Sequence, residues 1–191
     1  MKFTKTNLSG VIICEPMVHG DSRGYFVETF RQDKLEGYLG HKLQFVQDNE
    51  SKSVKGVLRG LHYQLAPSAQ TKLVRVIEGR VLDVAVDIRV NSPTFGKHIA
   101  VELTADNKKQ LFIPRGFAHG FVVLSDSAIF AYKVDNYYDP GCDRGIKFDD
   151  TDIKIDWCIS ADLLQLSQKD LDQPNLRDCT ELFDYGVNYY D

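Results

Sequence analysis

No stretch of this 191-residue chain is long and apolar enough to span a bilayer, and MKFTKTNLSG at its start lacks the hydrophobic centre of a secretion signal. The expectation is a cytoplasmic protein. Cysteine is sparse: Cys14, Cys142, Cys158 and Cys179 form no CxxC pair, so neither a zinc ribbon nor a disulfide framework is indicated. Positive charge is not in excess either. A formal net charge of −4 argues against a general nucleic-acid binder. Repeats, low-complexity tracts and linkers are missing, which predicts one domain over residues 1–191, long enough to close a hydrophobic core.

What the chain does have is short apolar runs separated by turn residues. Residues 11–14 read as a strand. In HGDSRGYFVETF, Asp21, Ser22 and Gly24 supply a turn, and residues 25–30 then alternate, placing Phe26, Glu28 and Phe30 on one face. The pattern suits an edge strand with Glu28 reaching solvent. One short helix is expected over 31–39, then a polar strand over 45–53 with Gln47 and Asn49 pointing the same way. Residues 57–63 form a strand, a loop broken by Pro67 follows, and a new strand opens at Lys72. Residues 73–88 are two apolar runs split at Glu78 and Gly79, a predicted hairpin. Here Leu82, Val84, Val86 and Ile88 share one face, with Asp83 and Asp87 on the other. Further strands are expected at 98–103, 110–113, 117–124 and 129–134. Beyond Asn136 the alternation stops, leaving ordered loop with one or two short strands. Ser167 to Asp170 resembles a capping box opening a short helix that Pro174 limits.

About ten short strands with little helix indicate an all-β fold. The strand-rich middle fits a double-sheet jelly roll, a cupin-like barrel with short helices at the C-terminus, whose interior can hold a small ligand. Edge strands of such barrels associate readily, so a homodimer through the N-terminal strands is expected.

Three side chains in GVLRGLHYQLAPSAQTK suit chemistry on an anionic substrate: Arg59, His62 and Lys72. Setting such groups on or beside apolar strands costs desolvation unless something binds them. His119 and Tyr132 occupy other strands of the same kind, and a curled sheet would bring all of them together inside. Two histidines in a jelly roll also suit a metal site built from imidazoles and a carboxylate. Against that, Tyr63 and Gln64 follow His62 where a second histidine would be needed, and Lys72 would repel a divalent cation. Neither a metal nor a cofactor is expected. The remaining reading is proton transfer beside a ketone. His62 suits the base, since imidazole titrates near neutrality, with a carboxylate on its other nitrogen to hold the tautomer. A lysine or histidine would stabilise the enolate oxygen, and Tyr132 would return a proton from the opposite face.

The blocks DSRGYFVETF, QDNESKS, GVLRGLHYQ, QTKLVRVIEGRVLDVAVDIRVNSPTFG, IPRGFAHGF and AYKVDNYY together resemble the dTDP-4-dehydrorhamnose 3,5-epimerase family, from about Gly10 to Pro174. The resemblance implies a metal-free cupin-like jelly roll, usually a homodimer. The implied reaction converts dTDP-4-dehydro-6-deoxy-D-glucose to dTDP-4-dehydro-L-rhamnose in the rhamnose pathway. By position it makes His62 the base, Tyr132 the acid and Asp170 the carboxylate paired with the base. Lys72 and His119 then lie near the sugar. Arg23 and Glu28, offered by a neighbouring subunit, join Gln47, Asn49, Arg59 and Lys169 at nucleotide and diphosphate positions. Arginine forks suit diphosphate oxygens, and Phe26 or Tyr138 would stack on thymine.

Two positions depart from the family pattern. Asp143 stands where a Glu is usual and Phe148 where a Trp is usual. Asp is one methylene shorter, so its nucleotide contact is expected to be lost or bridged by water. Strict alternation also sets Arg59 and His62 on opposite faces, so both reach one ligand only if the strand kinks, as by a bulge at Gly60. Two other functions compete with double epimerisation. One is a single-position epimerase or ketoisomerase on a related dTDP-4-keto-6-deoxy sugar, and the other a catalytically silent dTDP-sugar-binding module.

Overall fold

The computed structural model describes residues 1–190. Their first half runs β1 (Lys2–Lys5), β2 (Ile12–Glu15), β3 (Val18–Asp21), β4 (Gly24–Val27), helix α1 (Gln32–Leu39), β5 (Gln47–Val54), β6 (Leu58–Gln64) and β7 (Lys72–Glu78). There follow β8 (Arg80–Asp87), β9 (Arg89–Val90), β10 (His98–Thr104), β11 (Gln110–Ile113), β12 (Phe117–Val123) and β13 (Ser127–Val134). The C-terminal part holds β14 (Asp143–Gly145), helix α2 (Gln168–Leu171) and β15 (Phe183–Asp184). A six-stranded sheet has the order β1-β2-β11-β7-β13-β5, and a five-stranded sheet the order β10-β8-β12-β6-β14. Both are antiparallel throughout. The fold is the cupin-like jelly roll, with short helices near the C-terminus.

Three apolar layers hold it together. Between the sheets, Val74, Val76, Leu111, Ile113 and Phe130 from one sheet meet Val81, Ala85, Phe121 and Val123 from the other. The outer face of the five-stranded sheet, including Leu82, Val84 and Val86, is roofed by Ile146, Ile153, Trp157, Leu176 and Phe183 of the C-terminal segment. The outer face of the six-stranded sheet, at Ile12, Cys14, Leu73 and Phe112, lies under Leu35 of α1 and Leu43. Strand β8 is thus covered on both sides, which is why its sequence is nearly continuous in apolar residues. Each large side chain buried this fully contributes about 1.5–3 kcal/mol.

The structure corrects two expectations about elements. Residues 73–88 are not a hairpin, since β7 and β8 belong to different sheets and the chain crosses from one to the other at Gly79. This corner needs glycine: its φ is +80° and a Cβ would stand 2.1 Å from the Ser127 carbonyl oxygen. The alternating run over 25–30 also stops being a strand at Val27. Phe30 turns to pack edge-on against Phe45, with ring centroids 5.5 Å apart. Glu28 is held by Arg31 at 3.6 Å and Lys34 at 3.5 Å. All four cysteines are free thiols. Among the described residues no helix is long and apolar enough to cross a membrane.

Candidate active site

The site begins with a break in β6. Across the β6–β12 pair, His62 stands opposite His119 while Arg59 stands opposite Phe121, so β6 carries one residue more than β12 between the two pairs. This is the bulge that Arg59 and His62 require to share a side. Gly60 makes it possible, with a φ of +131° and a missing Cβ that would lie 2.5 Å from the Gly120 Cα. The Gly60–Leu61 peptide is cis.

Both side chains enter a cavity of about 640 Å³ between the sheets, with Lys72, His119, Tyr132, Lys169 and Asp170. A lobe of about 310 Å³ continues from it along Gln47, Gln70, Tyr138 and Asp143, sharing Asn49, His62, Lys72, Tyr132 and Lys169. Together they match the size of a small-molecule site. Phe121 and Phe130, stacked at 4.1 Å, give it an apolar wall.

Each histidine has its own carboxylate. His62 Nε2 lies 2.6 Å from Asp170 Oδ1, a close contact directed off the line of a ring N–H hydrogen bond. Asp170 is buried and fixed from three sides. The Ser167 hydroxyl donates to Oδ2 at 2.6 Å, the Gly60 N–H donates to Oδ1 at 3.3 Å, and the Asp170 N–H donates to Ser167 Oγ at 3.2 Å. The cap read from the sequence at Ser167 therefore also aims the carboxylate at the imidazole. Burial pushes the Asp170 carboxyl up, but His62, Ser167 and the Gly60 N–H outweigh it and hold it below the usual range. The second pair, His119 Nε2 and Asp83 Oδ2 at 2.9 Å, is buried outright. Burial drives the His119 pKa down, only partly offset by Asp83.

Lys72 enters at the head of β7. Burial lowers its pKa to about 8, opposed by Asp83 and Asp143. Burial raises that of Tyr132, while Arg59 pulls it down. Arg59 itself donates to Ser53 Oγ at 3.3 Å through Nε. In the lobe, Gln47 Nε2 donates to Asn49 Oδ1 at 2.9 Å and Gln47 Oε1 accepts from the Tyr138 N–H at 3.4 Å. The Tyr138 hydroxyl donates to Asp143 Oδ2 at 3.1 Å, and Lys169 pairs with the same carboxylate. Among the described residues no three of His, Cys, Asp and Glu stand together as a metal site.

Of the residues named from sequence, the chain brings His62, Lys72, Tyr132, Asp170, Gln47, Asn49, Arg59, His119, Tyr138, Asp143 and Lys169 to this one place. Arg23, Phe26 and Glu28 are not among its lining residues. Arg23 and Phe26 sit on the β3–β4 hairpin, where Phe26 is 70% exposed and Arg23 pairs, among the described residues, with Asp21 at 2.6 Å. Phe148 also lies elsewhere. It packs on the outer core and accepts a 2.9 Å hydrogen bond from Trp157 Nε1 at its carbonyl, so the departure there touches packing rather than the cavity. Sequence reading missed Asp83 and Ser167. Asp83 was visible as an acid in the middle of an apolar strand, on the same strand face that the interior would claim.

A sequence profile described as dTDP-4-dehydrorhamnose 3,5-epimerase matches residues 5–178. The chain belongs to this family. It is 57% identical over 171 residues to the dTDP-4-dehydrorhamnose 3,5-epimerase of Shigella flexneri, covering 90% of this chain and 93% of that one. Its backbone is similar to the crystal structure of the Elizabethkingia anophelis NUHP1 dTDP-4-dehydrorhamnose 3,5-epimerase (TM-score 0.90, 53% identity, 93% and 97% of the two chains). It is similar too to the Legionella pneumophila Philadelphia 1 dTDP-6-deoxy-D-glucose-3,5-epimerase, solved in complex with dTDP-4-keto-L-rhamnose (TM-score 0.93, 47% identity, 97% and 99%). The matched segment takes in every cavity residue named above and ends before the last 13 residues of the chain.

Proposed function

We propose that this enzyme inverts C3 and C5 of dTDP-4-dehydro-6-deoxy-D-glucose to give dTDP-4-dehydro-L-rhamnose, with His62 as base and Tyr132 as acid. One observation carries the assignment of roles. His62 on β6 and Tyr132 on β13 come from the two facing sheets and line the same cavity. A hexose held between the sheets meets the imidazole on one face and the phenol on the other.

The chemistry follows from that placement. Both C3 and C5 flank the C4 ketone, so their C–H bonds are acidified by the same carbonyl. His62 takes the proton, the C–H electron pair moves into the carbonyl, and the enolate oxygen forms beside Lys72 and His119. Charge stabilisation of this kind is worth on the order of 10²–10³-fold for a single donor. Tyr132 then gives a proton to the opposite face of the carbon, which inverts it. Exchange with solvent reprotonates Tyr132 and clears His62. Asp170, already ionised, orients the imidazole and balances the imidazolium. General acid and base each supply about 10²–10⁴-fold.

Arg59 and Lys169 suit the diphosphate, and Tyr138 offers a ring for thymine in the lobe. Asp143 is engaged by Lys169 and Tyr138 and meets the nucleotide through them. The β3–β4 hairpin, with Arg23 and Phe26 exposed and Glu28 at its base, is read as reaching the nucleotide site of a second copy in a homodimer, and the protein as cytoplasmic. Product NMR after turnover in D₂O tests the reaction: two inverted centres with deuterium at both are expected, and inversion of one centre alone would contradict it.

A further inference from the structure

The residue before Lys72 is tied to the far end of the chain. Thr71 is fully buried. Its N–H donates to Asp135 Oδ1 at 2.5 Å and its carbonyl accepts from the Asp135 N–H at 3.4 Å. Its hydroxyl meets the Tyr190 hydroxyl at 3.0 Å. Tyr190 in turn accepts from the Arg115 N–H at 3.3 Å and lies under the Arg115 guanidinium, 4.9 Å from ring to Cζ. Arg115 donates to Asp135 Oδ2 at 3.1 Å and to the Tyr189 carbonyl. Thr71, Asp135, Arg115 and Tyr190 thus close a ring of contacts around the start of β7. Arg115 and Asp135 expose only 13% and 2% of their side chains. The tail that completes the ring lies beyond residue 178, where the family match ends.

We propose that Tyr190 is a positioning residue for Lys72: the C-terminal tail clasps Thr71, with Arg115 and Asp135, and so fixes the point from which the Lys72 side chain enters the cavity. The inference rests on the role proposed above for Lys72. The strand ladder holds Lys72 laterally, through its pairing with Ile113 and Val134 on the two neighbouring strands. On its N-terminal side the chain arrives from a loop tied by Gln70 Nε2, which donates to the Asn136 carbonyl at 2.8 Å, and the clasp adds a restraint at Thr71 itself. A lysine is a flexible stem carrying a point charge, so its ammonium is only as well placed as its backbone. Misplacement by about 1 Å can cost on the order of 10²-fold in rate. Because the enolate charge exists only along the reaction path, the loss appears in kcat and not in KM.

The test compares Tyr190→Phe and Thr71→Val, each in the Lys72 and the Lys72→Ala backgrounds, by kcat, KM, deuterium wash-in and thermal midpoint. Tyr190→Phe keeps the ring under Arg115 and removes only the hydroxyl. Its expected result is a kcat roughly tenfold lower with KM within about twofold, as befits a contact felt only in the transition state. Thr71→Val should give the same loss, the double variant no more than either alone, and neither should slow the Lys72→Ala enzyme further. Full kcat in both single variants well below their thermal midpoints would overturn the proposal. So would an equal fold-loss in the Lys72→Ala background, which would make the tail a general brace of the barrel. Full kcat for Lys72→Ala itself would remove the proposed role of Lys72, and this inference with it. A slow Lys72→Ala beside a full-speed Tyr190→Phe would remove the inference alone.

Discussion

His62 and His119 face each other as cross-strand partners on β6 and β12, and each has a carboxylate brought by a different element: Asp170 from α2 and Asp83 from β8. The two pairs differ in burial. The His62 side chain keeps 28% of its surface exposed, whereas His119 keeps 8% and its Asp83 none. The accessible pair suits proton exchange with solvent, and the sealed pair, with His119 Nε2 committed to Asp83, is fixed in one orientation.

Removing the carboxylate behind the base should separate orientation from chemistry. Asp170→Asn is expected to lower kcat by about 10²–10⁴-fold while leaving substrate binding within a few-fold, since the imidazole loses its orienting charge and keeps its place. Steady-state kinetics with a direct binding measurement checks the split.

The cation in the cavity gives a pH dependence with a definite sign. Desolvation at the cavity wall lowers the pKa of the Lys72 ammonium to about 8. Below that pH the ammonium is present to meet the enolate, and above it the charge is lost. kcat/KM, which reports the free enzyme, should therefore fall as pH rises through about 8. Lys72→Arg keeps its charge throughout that range, so its profile should lack this alkaline limb even though its overall rate is lower. Profiles of both proteins between pH 6 and pH 10 provide the check, at roughly the range where lysine and imidazole titrate.

Gly60 is the position where the active site and stability meet. Gly60→Ala adds a Cβ within 2.5 Å of the Gly120 backbone at a φ of +131°. The expected cost is about 1–3 kcal/mol from strain alone, read as a fall in thermal midpoint. The bulge that sets Arg59 beside His62 should relax with it, so activity is expected to fall by more than the lost folded fraction.

The proposed homodimer, with its hairpin reaching the second copy's site, can be tested by complementation. Arg23→Ala and His62→Ala proteins should each be poorly active alone. Co-expressed as mixed dimers, they should recover about a quarter of full activity, because half the dimers hold one site with both groups intact. Recovery would not occur if each hairpin served its own chain.

Much of this was legible before any coordinates. The strands at β6, β7, β11 and β12 follow from short apolar runs bounded by Gly and Pro, and the residue types that suit enolisation stand on them. The bulge at Gly60 was also readable, because Arg59 and His62, on opposite faces by strict alternation, could reach one ligand only through one. The Glu78–Gly79 corner was not, since a local turn signal cannot say whether the next strand pairs with the last or crosses to another sheet. Asp83 escaped for a related reason. Its partner His119 lies on a strand 36 residues later, and only the β8–β12 pairing brings them to 2.9 Å. The clasp of Tyr190 on Thr71 is a tertiary contact 119 residues apart with no periodic signal behind it.

The claim at the centre is that His62 and Tyr132 work on opposite faces of one sugar ring, and stereochemically resolved deuterium wash-in tests it most directly. In D₂O, the Tyr132→Phe enzyme should still exchange the C3 and C5 protons through His62 but return the label to the face it came from, so that exchange proceeds without inversion. His62→Ala should exchange neither proton. Exchange at the normal rate without His62, or inversion at the normal rate without the Tyr132 hydroxyl, would contradict the account.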